Sequence, residues 1–523
     1  MNTPRTRREF LAEVGRGMLV TTVGFEVASG LGLSPALAAE VPEALSFGAL
    51  EPLVCFMQET PVDKLLPALT AKLKAGTELK QLVAAAALAN ARTFGGEDYV
   101  GFHTMMAIGP AFYMAQELPK ESQALPVFKV LYRNTNRIQE HGGRKGEVLH
   151  AVKAGGPSEL KVSGELLREA VRAKNVNLAE QTFAAIMESK LSPDEAFNEL
   201  LLAVQDNTEV HRVVLPYRAW DMVGIIGREQ AQTLLRQSVR YCVKAESPSA
   251  SAKWNDPRTL LPKLLDEHKL LGRATGTRAA EDAELEKLSE TIFKSTPEQA
   301  AAAASALADG MLPASVGEAI TLAANQLVLR DHGRTPREES PGKPLGSVHG
   351  DSIGVHACDS ANAWRNMARV GNARNCFASL ILGAYQVALD RGARGGDFLN
   401  WQPLPYGWQF EQLKKLTGAE TLLEELDEAI RGNLQARASG LVHRYGELGY
   451  EARPIFDLML RYAVSEDGSL HAEKFYRTSV EEFATSRPAY RWRYLVALAR
   501  VTASEYGRPA PGMAEARALL KLA

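Results

Sequence analysis

From about Pro61 onward apolar residues recur at helical spacing, and alternating apolar/polar runs bounded by turn residues are scarce. The pattern predicts a nearly all-α chain. Its helix starts are legible. Ser192-Pro193-Asp194-Glu195 places Ser at the N-cap, Pro at the first helical position and Glu at the third. Thr296-Pro297-Glu298-Gln299 repeats the arrangement with Gln, Ser315 and Glu318 form a third capping box, and Thr60-Pro61 opens the first long helix. The run from Ala300 to Asp309 stops at Gly310, as expected of a glycine just past a helix end.

Side by side, these segments suggest a weak internal repeat of helical hairpins, as in a bundle or a toroid-like body. One unit runs from Pro61 through Lys74-Ala75-Gly76 into Leu79 to Asn90; a second pairs Leu178 to Ser189 with Pro193 to Asp206; a third pairs Pro297 to Asp309 with Pro313 to Asn325. A fourth candidate pairs Ala472 to Thr485 with Tyr494 to Ser504. The second helix of a unit is rich in Ala and Leu, which suits close helix packing. Two long irregular segments interrupt this order, Gly333 to Gly350 and Arg391 to Trp408. The second carries Trp401, Tyr406 and Trp408, a composition that predicts an ordered, ligand-accessible pocket wall rather than a linker.

Composition narrows the function classes. The 523 residues are 46% hydrophobic, enough for a large core, and 60 Lys plus Arg against 62 Asp plus Glu leave a net charge of only -2, which argues against a nucleic-acid partner. Four cysteines, Cys55, Cys242, Cys358 and Cys376, have no C-x-x-C spacing, so no iron–sulfur, thiolate-zinc or c-type haem ligand set is present. No phosphate loop, nucleophile elbow or dinucleotide fingerprint occurs.

Near the N-terminus, Thr6-Arg7-Arg8-Glu9-Phe10-Leu11 precedes a mild apolar stretch, Met18 to Phe25, and then the small-residue box Ala36-Leu37-Ala38. This order resembles a bacterial twin-arginine (Tat) signal peptide, with Ala12 where the pattern often has Lys. The apolar stretch is far shorter than the ~20 residues that span a bilayer. The resemblance implies a Tat translocase partner, a periplasmic or otherwise exported soluble product with no transmembrane segment, and folding before export, often around a cofactor. The expected organisation is residues 1–39 as signal peptide and 40–523 as one helical body, alternatively two lobes at about 40–290 and 291–523.

Three of the ten histidines fall shortly after the Ala-rich helix and at the head of the next: His103, His211 and His356, each followed eight or nine residues later by an aromatic, Phe112, Trp220 or Trp364. Equivalent positions in packed repeats can face one interior point, and imidazole suits iron or copper, with zinc as a variant. These three are the candidate metal ligands. His349, at the end of the Gly/Pro-rich loop, is the candidate fourth ligand or catalytic proton-transfer group, and Asp351 or Asp359 is the candidate oxygen ligand in a two-His-one-carboxylate variant. Asn362 and Arg365, on the same helix as His356, are candidate substrate-binding residues with Trp401, Tyr406 and Trp408. The competing structural reading makes His103 a core histidine bonded to a carbonyl and His211 a helix-start residue; His471 likewise reads as a helix start. The function expected is an exported metal-dependent enzyme, an oxidoreductase acting on a small organic or sugar-like molecule. Its competitors are a non-catalytic helical-repeat binding protein and a carbohydrate-active hydrolase or lyase on an α/α toroid.

Overall fold

The computed structural model describes residues 43–154, 163–189, 192–246, 256–296, 298–341, 343–350, 352–394 and 397–522, the side chains of 298, 299, 394 and 397 excepted. The twin-arginine segment and Asp351 lie outside the described residues. The chain divides into Met1–Leu45, of which 43–45 are described, and a compact unit Ser46–Ala523. That unit is all-α: 23 helices, with a few isolated bridges and no strand ladder among the described residues.

Local signals explain where many helices begin. At Pro193–Val204 the Ser192 hydroxyl caps the Glu195 amide while the Glu195 carboxylate returns to the Ser192 amide, the reciprocal box read from the sequence. Gly310 has φ +78°, the left-handed conformation that ends the helix Ala302–Ala308. Ser315 behaves differently from the expectation. The helix starts earlier, at Pro313, so Ser315 lies inside its first turn and its hydroxyl accepts the Ala280 amide at 3.3 Å.

Four helices form a closed inner ring: α1 (Tyr99–Glu117), α2 (Val210–Ile226), α3 (Ile353–Val370) and α4 (His471–Thr485). α1 packs on α2, α2 on α3, α3 on α4 and α4 on α1. Other helices pack behind them: Leu79–Phe94 and Ala124–Glu140 on α1, Ala231–Ala245 on α2, Pro313–Arg330 and Ala373–Arg391 on α3, and Trp492–Glu505 on α4. Alanine-rich stretches such as Ala84–Ala87 are fully buried, and their small side chains let neighbouring helix axes approach closely. In the first proposed hairpin, however, Val62–Lys74 packs chiefly on Ala124–Glu140 and Met513–Leu520 rather than on Leu79–Phe94.

All four cysteines are free. No helix among the described residues is long and apolar enough to cross a membrane.

Candidate functional site

Each ring helix carries a histidine in its opening turns: His103 is the fifth residue of α1, His211 the second of α2, His356 the fourth of α3 and His471 the first of α4. Local chemistry fixes these starts. The Asp98 carboxylate accepts the Gly101 amide at 2.7 Å, Glu209 accepts the amides of His211 and Arg212 at 3.1 and 3.0 Å, and the Ser352 hydroxyl accepts the Val355 amide at 3.3 Å. Leu470, with φ +69°, turns the chain into α4.

The four imidazoles meet. The Nε2 atoms of His103 and His211 are 3.2 Å apart, and those of His356 and His471 are 3.1 Å apart. Ring centroids close the cycle, with His103–His471 at 5.2 Å and His211–His356 at 6.0 Å. The three histidines singled out from the sequence are therefore neighbours, and His471, assigned there to a plain helix start, is the fourth. Its signal was present: it heads the first helix of the fourth candidate repeat.

The outer nitrogens decide the chemistry of the inner ones. His103 Nδ1 lies 2.7 Å from the Tyr99 carbonyl, His211 Nδ1 2.7 Å from a Glu209 carboxylate oxygen, and His471 Nδ1 3.1 Å from the Ser469 carbonyl. A carbonyl or an ionised carboxylate only accepts, so these three Nδ1 atoms donate, and a neutral ring then presents an Nε2 lone pair. Burial tends to raise the Glu209 carboxyl, but the bonds from His211 and Tyr241 outweigh it and hold the group at about 2. Burial, then the charge of Lys474, pushes His103 down to about 2; burial and Lys474 also push His471 well below the usual histidine range. The positive end of each helix dipole works in the same direction. His103 and His471 are thus neutral rings whose lone pairs face the interior.

Metal–nitrogen bonds of 2.0–2.1 Å place two ligands of one ion roughly 3.0–3.4 Å apart, so both close pairs match that spacing. The outer-nitrogen bonds are those that orient histidine ligands. The rings form two close pairs rather than a finished cage, with the pairs 5.2–6.0 Å apart between ring centroids, and no group of three or more His, Cys, Asp or Glu among the described residues is placed to hold a metal ion. His103 and His471 are buried, whereas His211 and His356 keep part of their surface open. Tyr99, 61% exposed, packs on the rings of His103 and His211 and marks the mouth of the cluster.

Below the imidazoles the ring interior stays polar. One turn on, Asp359 of α3 accepts the Thr478 hydroxyl at 2.9 Å, and Arg218 of α2 donates to the same hydroxyl at 3.3 Å. Lys474 of α4 is buried beside them, and burial lowers its ammonium to about 8, while burial raises the Asp359 carboxyl. Ten residues after each histidine stand Tyr113, Asp221, Asn366 and Glu481. Tyr113 donates to Asp221 at 3.0 Å and Asn366 to Glu481 at 3.5 Å. Equal offsets meeting at equal depth show that the four helices run parallel.

The remaining sequence candidates lie elsewhere. His349 lies against the Arg508 guanidinium, and its neighbour Gly350 presses on His471, so it sits behind the cluster and not among the four rings. Asn362 donates to Glu482 at 2.8 Å, and Arg365 pairs with the same carboxylate, which ties α3 to α4. Trp401, Tyr406 and Trp408 line one open cleft of about 660 Å³ together with His332, which stacks on Trp401 at 4.2 Å. That cleft shares no residue with the imidazole cluster. No protein-family model, curated protein or solved structure matches this chain.

Proposed function

We propose that this protein is an exported, metal-dependent oxidoreductase whose ion is held by His103, His211, His356 and His471. One observation carries the reading: outer nitrogens tied to acceptor oxygens leave, in neutral rings, the Nε2 lone pairs of His103 and His211 facing one another at 3.2 Å, an arrangement that a cation between them resolves. Two lone pairs that close repel, so a proton or a metal ion must stand between them, and metal analysis separates the two. An all-imidazole set favours iron or copper, with zinc as the non-redox variant. A bound iron or copper would supply one-electron chemistry at the inner end of the mouth beside Tyr99.

The chain's own residues have distinct parts in this reading. Glu209 and the carbonyls of Tyr99 and Ser469 orient the rings, and burial keeps His103 and His471 unprotonated. Lys474 and Asp359 stand one turn below as groups able to hold or pass a proton. Trp401, Tyr406 and Trp408 offer an apolar face for a small organic or sugar-like molecule. The twin-arginine resemblance supports export through the Tat translocase after folding. A second reading, a non-catalytic binding protein, draws on the separation of this aromatic cleft from the imidazoles.

Metal analysis of protein isolated from its export route tests the proposal. The double variant His103→Asn and His471→Asn retains an amide where each Nδ1 donates and removes both Nε2 atoms. One iron or copper ion per wild-type chain and none in the variant, with unchanged helical circular dichroism, is the expected result. Metal-free wild-type protein, or equal metal in both, overturns it and leaves the binding-protein reading.

A further inference from the structure

A second polar cavity, of about 140 Å³, lies away from the imidazoles where Gly164–Arg172, Pro257–Glu267 and the start of Ala373–Arg391 come together. Its wall carries four arginines, Arg168, Arg172, Arg258 and Arg374, against one carboxylate, Asp206. Glu165, Glu169 and Glu246, bonded to these arginines from beside the wall, bring the local charge into balance, four against four, so the anion-binding potential rests on Arg374, the one guanidinium of the four that no described carboxylate pairs.

The neighbouring carboxylates are already engaged. Asp206 accepts two parallel bonds from Arg172 at 2.6 and 2.8 Å, Glu246 accepts from Arg258 at 2.5 and 2.6 Å, and Glu165 pairs with Arg168. Arg374 is different. Its Nη1 donates to the neutral amides of Gln205 and Asn375, and no ion pair joins it to a described residue. Burial, then the charge of Arg168 nearby, pulls its guanidinium below the ordinary value. Arg168 also has a buried Nε without a hydrogen-bond partner. Like charges held together with donors unfilled are destabilising unless an anion completes them. Guanidinium groups match the oxygens of phosphate or sulfate two at a time, and a cavity of this size holds one such group beside water.

We propose that this cavity binds a tetrahedral oxoanion, as free phosphate or sulfate or as the same group carried on a monoester, with Arg374 as its anchor and Arg168, Arg172 and Arg258 around it. The site is independent of the metal reading, since none of its residues belongs to the imidazole cluster.

Calorimetric titration of the full chain with inorganic phosphate, sulfate and phenyl phosphate at low ionic strength is the test. Saturable one-site binding that weakens with added salt and falls about tenfold or more in Arg374→Gln is expected, with Arg168→Gln as a second variant and circular dichroism confirming the fold of each. Tighter binding of phenyl phosphate than of phosphate identifies a carried group, and the reverse order identifies the free anion. The His103→Asn, His471→Asn protein should bind the anion as wild type does, whatever its metal content. No saturable binding by wild type, or undiminished binding by both folded arginine variants, overturns the proposal.

Discussion

Glu505, in the helix Trp492–Glu505 behind α4, is a buried carboxyl that accepts the Gly350 amide at 3.1 Å. Burial raises it to about 7, against the opposing pull of that amide and of Lys129 and Arg508, while Glu473 adds to the rise. An unfolded glutamate releases its proton near pH 4.5. Between pH 4.5 and 7 the folded state therefore holds a proton that the unfolded state has lost, so stability falls as pH rises through this window. The slope from this group is at most about 1.4 kcal/mol per pH unit. Glu505→Gln keeps an acceptor for Gly350 and should flatten that part of the profile, as read by urea unfolding at several pH values. At the same scale, Glu209→Gln should lower metal affinity by roughly 10–100-fold through loss of the carboxylate that orients His211, measured by competition with a chelator. The histidine types were legible in the sequence, and so was a carbonyl partner for the buried His103; which carbonyl was not, because Tyr99 and Ser469 contribute groups that every residue has.

Between elements, close backbone approach sets where the rings stand. A Cβ on Gly354 of α3 would lie 2.7–2.9 Å from backbone atoms of Leu327 and Val328, so Pro313–Arg330 presses directly on α3 two residues before His356. In an exposed helix Gly→Ala gains about 1 kcal/mol. Here backbone faces backbone and cannot yield cheaply, so Gly354→Ala should cost about 1–3 kcal/mol in chemical denaturation and weaken metal binding by moving His356. Unchanged stability would mean that the two helices separate without strain. Helix existence was readable from periodicity and caps, as at Ser192 and Gly310. Phase was harder. The fourth candidate unit began with Ala472 to Thr485 as its first helix, yet this segment is ring helix α4, so His471 stood just before a unit instead of on the ring. Pairing was harder still, since Val62–Lys74 and Leu79–Phe94 are consecutive in sequence but pack chiefly on other partners.

At the scale of the whole molecule, the ring takes α1 and α2 from the chain before residue 290 and α3 and α4 from after it, so the imidazoles depend on contacts that join the two halves. No local sequence window contains such a site, and only the recurrence of histidine at helix heads hinted at it. The buried alanine and leucine surface behind the ring is extensive, with Val83–Ala89 and Ala323–Ala324 all at most 4% exposed, whereas an ion would touch only four side chains. Removal of metal should therefore leave helical circular dichroism nearly unchanged. Binding should still stabilise the native state by mass action, because the four rings converge only when the ring is closed. With free copper(II) or iron(II) at about 100 times its dissociation constant, the gain is about 2.7 kcal/mol. A thermal transition that rises by a few degrees with the metal in wild type, and stays fixed in the His103→Asn, His471→Asn variant, is the expected outcome. An equal rise in both proteins would assign the effect to metal bound elsewhere on the chain.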